Sequence, residues 1–306
     1  MSVFSNQFFI SPERPVDPFT LSILELIDRL LRDAKIRYML VGATARDLLL
    51  YHVFGHAVTR ATYDLDFAIH VGSWEQFAIA KQLFLDIPGF TDKGRNAQRL
   101  YYQPTGASFE TIIDIIPFGK LETAERTIAW PPDADVVMNV AAFSDVFENS
   151  LRVQVRPDLV IPIASLPGLI VLKLFAWLDR HDGRDVQDIR RLIETYTDAG
   201  NVDRLYEEEA DELERVGFDT ILAGAFLLGK DAQRITDENV RSRLSTSLSG
   251  KELPALVLQL ARTMSVLDDR TESAETLLSG FFRGMGLVDL VALKKSRHRA
   301  VQTTGL

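Results

Sequence analysis

At residues 64–71 the chain reads Asp64-Leu-Asp66-Phe-Ala-Ile-His-Val71, where apolar side chains recur at every second position. A period of two is typical of a β-strand, in which successive side chains point to opposite faces of the sheet. We therefore expect Leu65 and Phe67 on one face and Asp64 and Asp66 on the other. The two carboxylates would project from the same face, about 6 to 7 Å apart.

Two like charges at that separation repel each other unless a cation lies between them. Mg²⁺ is the obvious candidate, with Mn²⁺ as an alternative, because it binds one or two carboxylates together with phosphate oxygens. The other interpretation is a pair of solvated aspartates on an edge strand. Aspartate is depleted in strands, and these two lie among apolar residues. We therefore favour a metal site at Asp64 and Asp66.

A third aspartate lies in a later apolar stretch, Ile112-Ile-Asp114-Ile-Ile116. This stretch predicts a nearly buried strand, where an unpaired carboxylate is unfavourable. Asp114 must therefore have a partner. If its strand lies beside the strand of Asp64 and Asp66, the three carboxylates form one metal cage. The alternative is an ion pair with an arginine such as Arg46.

Upstream, the segment Val41-Gly42-Ala43-Thr44 joins a strand candidate, residues 37–41, to a helix candidate, residues 44–54, in which apolar residues recur at helical spacing. At such a turn the free backbone N–H groups and the positive end of the helix dipole suit a phosphate. Gly42 allows a tight turn, and the hydroxyl of Thr44 adds a donor. The alternative is that this Gly-Thr pair is an ordinary helix cap.

Lys173 is the one residue within 169–178 that is not apolar. Its ammonium group must either reach solvent along the helix or meet an anion. Further on, Asp185 and Asp188 are three residues apart and so share a helix face. Asp185 is alternatively the cap of that helix.

Strand and helix patterns alternate as far as about residue 163 and indicate an α/β (α+β) core with a mixed sheet flanked by helices. From Ser165 onward the pattern is almost wholly helical. It includes an acidic run at 207–214 that we expect to be a solvated helix face. We divide the chain into a core with its appended helices, residues 1–203, and a helical C-terminal domain, residues 204–306.

Composition narrows the function classes. The 306 residues include no cysteine, which excludes disulfides, zinc–thiolate sites and cysteine nucleophiles. We expect neither a signal peptide nor a membrane-spanning segment, and hence a cytoplasmic protein with no membrane partner. The net charge of −9 argues against a protein that coats nucleic acid with its whole surface. The basic tail at 294–299 is expected to be a solvated end.

The turn at Gly42, the Asp64-x-Asp66 strand and Asp114 together resemble the DNA polymerase beta-like nucleotidyltransferase superfamily. Residues 173–180, Lys-Leu-Phe-Ala-Trp-Leu-Asp-Arg, and 184–189, Arg-Asp-Val-Gln-Asp-Ile, resemble the later motifs of the AbiEii/AbiGii abortive-infection toxins. The resemblance covers about residues 35–196.

The resemblance implies an Mg²⁺-dependent nucleotidyltransferase core followed by a helical domain. Such an enzyme transfers a nucleoside monophosphate from a nucleoside triphosphate to an acceptor hydroxyl, with tRNA as an acceptor and an antitoxin protein as a partner. The resemblance assigns roles to eight residues: the phosphate turn to Gly42, Ala43 and Thr44, the metal pair to Asp64 and Asp66, activation of the acceptor hydroxyl to Asp114, phosphate binding to Lys173, and the later acidic motif to Asp185.

This chain departs from the family pattern at one position. The family usually has a second glycine where this chain has Ala43. A methyl group there would hold the triphosphate further from the backbone.

Three alternatives remain. The pair Arg46-Asp47 is also similar to the start of the CCA-adding tRNA nucleotidyltransferases, but no later arginine-rich motif of that family follows. An antibiotic nucleotidyltransferase would use the same three carboxylates on a small hydroxylated drug. A non-catalytic nucleotide-binding module would have no need for a third buried carboxylate.

Overall fold

The computed structural model describes residues 7–58, 64–94, 96–264, 269–287 and 290. The chain divides into two compact units, Met1–Leu169 and Ile170–Leu306. The basic tail at 294–299 lies outside the described residues. The structure groups residues 170–203 with the later helices, whereas the sequence division placed them with the core. That division, at residues 203 and 204, stays a prediction.

Among the described residues, all of the strands lie in the first unit. They are β1 Gln7–Phe9, β2 Tyr38–Val41, β3 Asp64–Val71, β4 Phe90–Thr91, β5 Arg99–Tyr102, β6 Thr111–Gly119, β7 Thr127–Ala129, β8 Val137–Asn139, β9 Leu151–Arg156 and β10 Leu159–Ile163. One mixed sheet has the order β1-β9-β10-β2-β3-β6-β5-β4, and β7 pairs with β8 separately.

The helices flank this sheet and then make up the second unit. Those of the first unit are α1 Pro18–Asp33, α2 Gly42–Asp47, α3 Trp74–Leu85 and α4 Phe143–Glu148. The later ones are α5 Leu166–Arg180, α6 Gly183–Thr195, α7 Val202–Glu208, α8 Ala210–Arg215, α9 Thr220–Ile235, α10 Glu238–Leu248, α11 Glu252–Thr263 and α12 Arg270–Gly284. None of these helices is long and apolar enough to cross a membrane. The predicted fold class, a mixed sheet flanked by helices with a helical C-terminal part, is confirmed.

Short polar side chains set where several helices begin. Asp17 accepts a hydrogen bond from the backbone N–H of Thr20 at 2.9 Å, and Pro18 follows it as the first residue of α1. Ser73 caps α3 in the same way. These side chains satisfy N–H groups that have no partner inside the helix. The starts of α1 and α3 are therefore determined locally.

The two faces of the central strands have different neighbours. On one face the ring of Tyr38 lies 5.9 Å from that of Phe67, and its hydroxyl donates to Asp28 of α1 at 2.8 Å. On the opposite face Phe118 of β6 packs against Phe147 of α4, with 5.4 Å between ring centroids. Because side chains alternate along a strand, Asp64 and Asp66 lie on this second face.

The predicted helix at 44–54 forms in two parts. The α-helical hydrogen bonds of α2 end at Asp47, and residues Leu48–Val53 form a π-helical segment. The apolar spacing of the sequence predicts a helix. It does not distinguish α-helical backbone hydrogen bonds, which join residues four apart, from π-helical ones, which join residues five apart.

The expectation of a solvated acidic face at 207–214 is wrong for Glu209 and Glu212, each 6% exposed. Glu209 pairs with Lys230 of α9. Glu212 accepts hydrogen bonds from Arg215 and Arg283. Burial acts to raise the pKa of Glu212, but the two guanidinium groups outweigh it and hold this pKa at about 2.

Helices α9 and α12 approach each other closely at two glycines. A Cβ atom added to Gly284 would lie 2.0 Å from the carbonyl oxygen of Phe226, and one added to Gly229 would lie 2.1 Å from that of Phe281. A methyl group does not fit at either position, so the two helix backbones contact each other directly.

We predict that Gly284→Ala forces these helices apart and lowers the free energy of unfolding by about 1–3 kcal/mol, measured by urea denaturation. Gly183→Ala is the control. Gly183 is the first residue of α6, and a Cβ atom added there would meet nothing within 4 Å among the described residues outside its own stretch of chain. We expect that control to unfold like the parent protein or slightly later. Parent-like stability of Gly284→Ala would contradict the close approach.

Candidate functional site

Four neighbouring strands are in register at one level of the sheet. Asp66 of β3 lies opposite Val41 of β2 on one side and opposite Asp114 of β6 on the other. Asp114 in turn lies opposite Arg99 of β5. Residues in register on neighbouring strands point to the same face, and the strands are about 4.8 Å apart. The register therefore gathers Asp66, Asp114 and, two residues along β3, Asp64 on a single face.

Asp114 is held by a two-pronged ion pair. Nε of Arg99 donates to Oδ1 of Asp114 at 2.8 Å, and Nη2 donates to Oδ2 at 2.7 Å. The expectation that this buried carboxylate needs a partner is confirmed, and the partner in the structure is Arg99. The proposed arginine, Arg46, donates to Asp47 of the same helix instead.

The turn before α2 lies directly against the metal-pair candidate Asp66. Gly42 has a φ of +73°, and a Cβ atom at this position would lie 2.0 Å from Oδ2 of Asp66. A residue with a side chain would therefore displace this carboxylate. Gly42 is required both by the backbone conformation and by the space that Asp66 occupies.

Thr44 and Ala43 follow Gly42 in the first turn of α2. The hydroxyl of Thr44 donates to the carbonyl oxygen of Asp64 at 2.8 Å and so ties α2 to β3. The helix-cap alternative is wrong, because the cap residue is Val41 and no side chain caps the helix. Ala43 is buried, and its effect on triphosphate binding stays a prediction.

The donor chemistry of this face fits a divalent cation. Asp64 and Asp66 are half-buried carboxylates, and Mg²⁺ takes one or two carboxylates and completes its shell with water and phosphate oxygens. In the part of the chain that the structure describes, no group of three acidic, histidine or cysteine side chains is arranged to hold a metal ion. Arg99 engages both oxygens of the third carboxylate. The cage that includes Asp114 stays a prediction.

The remaining candidates, Lys173 and Asp185, lie together in the second unit. Nζ of Lys173 is 3.0 Å from Oδ1 of Asp185 and 2.7 Å from Oδ2 of Asp188. The expectation that Lys173 meets an anion or reaches solvent is resolved in favour of an anion, and these anions belong to the protein itself.

Asp185 is fully buried and is held by two cations. Arg180 donates to both of its carboxylate oxygens, at 2.7 Å each, in addition to the ion pair with Lys173. The interpretation of Asp185 as a helix cap is wrong, because Asp182 accepts the hydrogen bond from the N–H of Arg184 and caps α6. Asp185 lies inside the first turn, with 0% of its surface exposed.

Two residues of these clusters, Arg99 and Arg180, were not identified from the sequence. Arg180 lies in the same segment as Lys173, and its partner is five residues further on, across the turn between α5 and α6. This short separation along the chain is a signal that could have indicated it. Arg99 has no local signal, because its pairing depends on the register between β5 and β6.

Comparison with protein families gives a match over residues 26–269 to the family described as "Nucleotidyl transferase AbiEii toxin, Type IV TA system". This range is more than half of the chain. None of the curated proteins matches the sequence.

Several solved structures are similar at low identity. An antigenic nucleotidyltransferase-like protein from Paracoccidioides brasiliensis is 15% identical, with 70% of this chain and 94% of that chain covered and a TM-score of 0.39. The antibiotic-resistance factor ANT(2'')-Ia is 10% identical, with coverages of 66% and 98% and a TM-score of 0.35. The CCA-adding enzyme of Thermotoga maritima, complexed with tRNA, is 14% identical, with coverages of 92% and 83% and a TM-score of 0.25. At these TM-scores the similarity carries no argument about residues or activity.

We predict that Gly42→Ala displaces the carboxylate of Asp66 and weakens Mn²⁺ binding by about 10- to 100-fold, measured by isothermal titration calorimetry. Gly94→Ala is a matched control. Gly94 also has a positive φ, +66°, but a Cβ atom added there would meet nothing within 4 Å among the described residues beyond its chain neighbours. Gly94→Ala therefore introduces a backbone strain like that of Gly42→Ala, without the close contact to a carboxylate. Equal Mn²⁺ affinities for the two variants would show that the space beside Asp66 does not matter.

Proposed function

Because the chain belongs to the AbiEii nucleotidyl transferase toxin family, we propose that it transfers a nucleoside monophosphate from a nucleoside triphosphate to an acceptor hydroxyl with the help of Mg²⁺ or Mn²⁺. The observation that carries the proposal is the register that sets Asp66 beside Asp114 on the face that also bears Asp64. Carboxylates gathered in this way are the protein ligands that metal-assisted phosphoryl chemistry uses.

The acidic face supplies the metal ligands in this proposal. Asp64 and Asp66 hold the divalent cations, and Asp114 contributes once its ion pair with Arg99 opens. When bound, the metal ions neutralise the charge of the triphosphate and lower the pKa of the attacking hydroxyl. As the acceptor oxygen attacks the α-phosphorus and pyrophosphate leaves, Asp114 would accept the proton of the acceptor hydroxyl, which is the role that the superfamily resemblance implies for the third carboxylate.

The turn at Gly42 supplies the phosphate contacts. Its positive φ and its position against Asp66 bring the first backbone N–H groups of α2 close to the proposed metal pair. A phosphate at this turn would be bound by those N–H groups and by the metal ions together. Lys173 and Asp185 are proposed as nucleotide-binding residues on the family resemblance.

Family membership is also the basis for the proposed partners. We propose tRNA as an acceptor, an antitoxin protein encoded with this chain, and a cytoplasmic location. Incubation of the protein with each radiolabelled nucleoside triphosphate and total cell RNA, with Mg²⁺ or Mn²⁺, tests the activity and the acceptor class together. If no triphosphate is incorporated and none stabilises the protein against heat in the presence of metal, the proposed function is wrong.

We predict that Asp64→Ala and Asp66→Ala each lower nucleotide transfer by at least about 100-fold, measured as incorporation of radiolabel. The folded state is expected to survive, because removing a carboxylate relieves repulsion on the acidic face. Asp133→Ala, an exposed aspartate in a loop of the same unit, is the control and should retain full activity. Parent-like transfer by either site variant would remove that residue from its proposed role.

We predict that Lys173→Gln weakens triphosphate binding by about tenfold, since a charge-assisted hydrogen bond is worth roughly 1.5–3 kcal/mol, while Mn²⁺ affinity is unchanged. Both constants can be measured by isothermal titration calorimetry. Asp188→Asn is the companion variant. It removes one partner of Lys173 but keeps the ammonium group and should bind triphosphate like the parent.

The competing role for Lys173 is purely structural, as the partner of Asp185 and Asp188. In that case Lys173→Gln would lower thermal stability and leave the triphosphate affinity at its parent value. That result would exclude Lys173 from nucleotide binding.

A further inference from the structure

In the ion pair between Arg99 and Asp114, the guanidinium group occupies the position at the carboxylate that another cation could take. Nε and Nη2 of Arg99 form two parallel hydrogen bonds, one to each carboxylate oxygen of Asp114. Such a fork is the strongest arrangement that a guanidinium makes with a carboxylate. The guanidinium engages both oxygens of Asp114, so a divalent cation at this carboxylate would compete with Arg99 for the same negative charge.

The guanidinium also lies within the field of the other acidic residues. Its hydrogen bonds to Asp114 raise the pKa of Arg99 above its ordinary value, and the charge of Asp64 adds to the effect. Arg99 therefore interacts electrostatically with more than one carboxylate of the acidic face. The positive charge of Arg99 offsets part of the repulsion that the register of β3 and β6 creates.

The exposure of this pair differs from that of the buried ion pairs in the second unit. The side chain of Arg99 is 27% exposed, so its guanidinium can turn into solvent by rotation about its own bonds. Arg180 is itself 55% exposed, so the difference lies in the carboxylates. The side chain of Asp114 is 12% exposed, whereas that of Asp185 is 0% exposed and that of Asp231, paired with Arg204, is 1% exposed. An ion pair at the rim of a site can exchange one cation for another, whereas a fully buried pair cannot open without exposing an uncompensated charge.

We propose that Arg99 is a cation placeholder: it neutralises Asp114 in the metal-free protein and releases this carboxylate to a divalent cation. The inference rests on the proposed function, because it takes the acidic face as the metal site. It goes beyond that function by making Arg99 a positioning residue, which sets how strongly the site binds metal. The apparent metal affinity of the parent protein is then the intrinsic affinity multiplied by the fraction of molecules in which Arg99 has released Asp114.

The test is isothermal titration calorimetry, in which the full chain is titrated with Mn²⁺ alone. We expect Arg99→Gln to bind Mn²⁺ about tenfold more tightly than the parent. Without metal this variant should unfold at a lower temperature, because Asp114 has lost its partner. Saturating Mn²⁺ should restore its melting temperature to that of the parent protein. Arg99→Lys, which keeps the charge but not the fork, should have an intermediate affinity and provides a second variant if Arg99→Gln does not fold.

Two controls separate this mechanism from a general change of charge. Arg156→Gln breaks a comparable fork, between Arg156 and Glu25 in the same unit, and should leave Mn²⁺ affinity unchanged. Arg99→Gln made in an Asp114→Asn background should also have no effect, because Arg99 acts through Asp114. A rise in affinity that persists in that background would overturn the proposal.

The outcomes distinguish this inference from the proposed function. If the parent binds Mn²⁺, loses it in Asp66→Ala and keeps the same affinity in Arg99→Gln, the placeholder role is wrong and the metal site stands. If neither the parent nor Arg99→Gln binds Mn²⁺, with or without a nucleoside triphosphate, both proposals are wrong.

Discussion

The in-register parallel pairing of β3 with β6 sets two aspartates side by side in the middle of a sheet. This arrangement is unfavourable by itself, because like charges on neighbouring strands repel. The rest of the acidic face follows from it. Gly42 has to be a glycine, because Asp66 occupies the space where a Cβ atom would lie. On the other side of Asp114, Arg99 of β5 donates a hydrogen bond to its carboxylate.

The two charge clusters of the protein stabilise their buried carboxylates in different ways. In the second unit, Asp185 is completely enclosed and accepts hydrogen bonds from Lys173 and Arg180. Such a pair is stable only while all partners stay in place, so it fixes the geometry of α5 and α6. In the first unit, the pair of Arg99 and Asp114 lies at the rim, where exchange of the cation is physically possible. That difference in burial is why we connect metal binding with the first cluster.

Sequence patterns predict an element well when its signal is local. The alternation at 64–71 gives β3 with its observed bounds. Patterns fail where two structures share one signal. The apolar spacing at 44–54 does not separate the α-helix from the π-helical segment that follows Asp47. The acidic run at 207–214 is typical of a solvated face, yet Glu212 is buried because Arg283, on a helix far along the chain, reaches it.

The order of residues along β3 is enough to place Asp64 and Asp66 on one face, because side chains alternate along a strand whatever the rest of the chain does. The apolar neighbours of Asp114 are likewise enough to require a partner for it, since an isolated buried charge is too unfavourable. The identity of each partner comes from the folded chain. Arg99 meets Asp114 through the register of β5 and β6, and Lys173 meets Asp185 through the packing of α5 on α6. Register and packing are set by the sum of many contacts between distant residues, and no single stretch of sequence contains them.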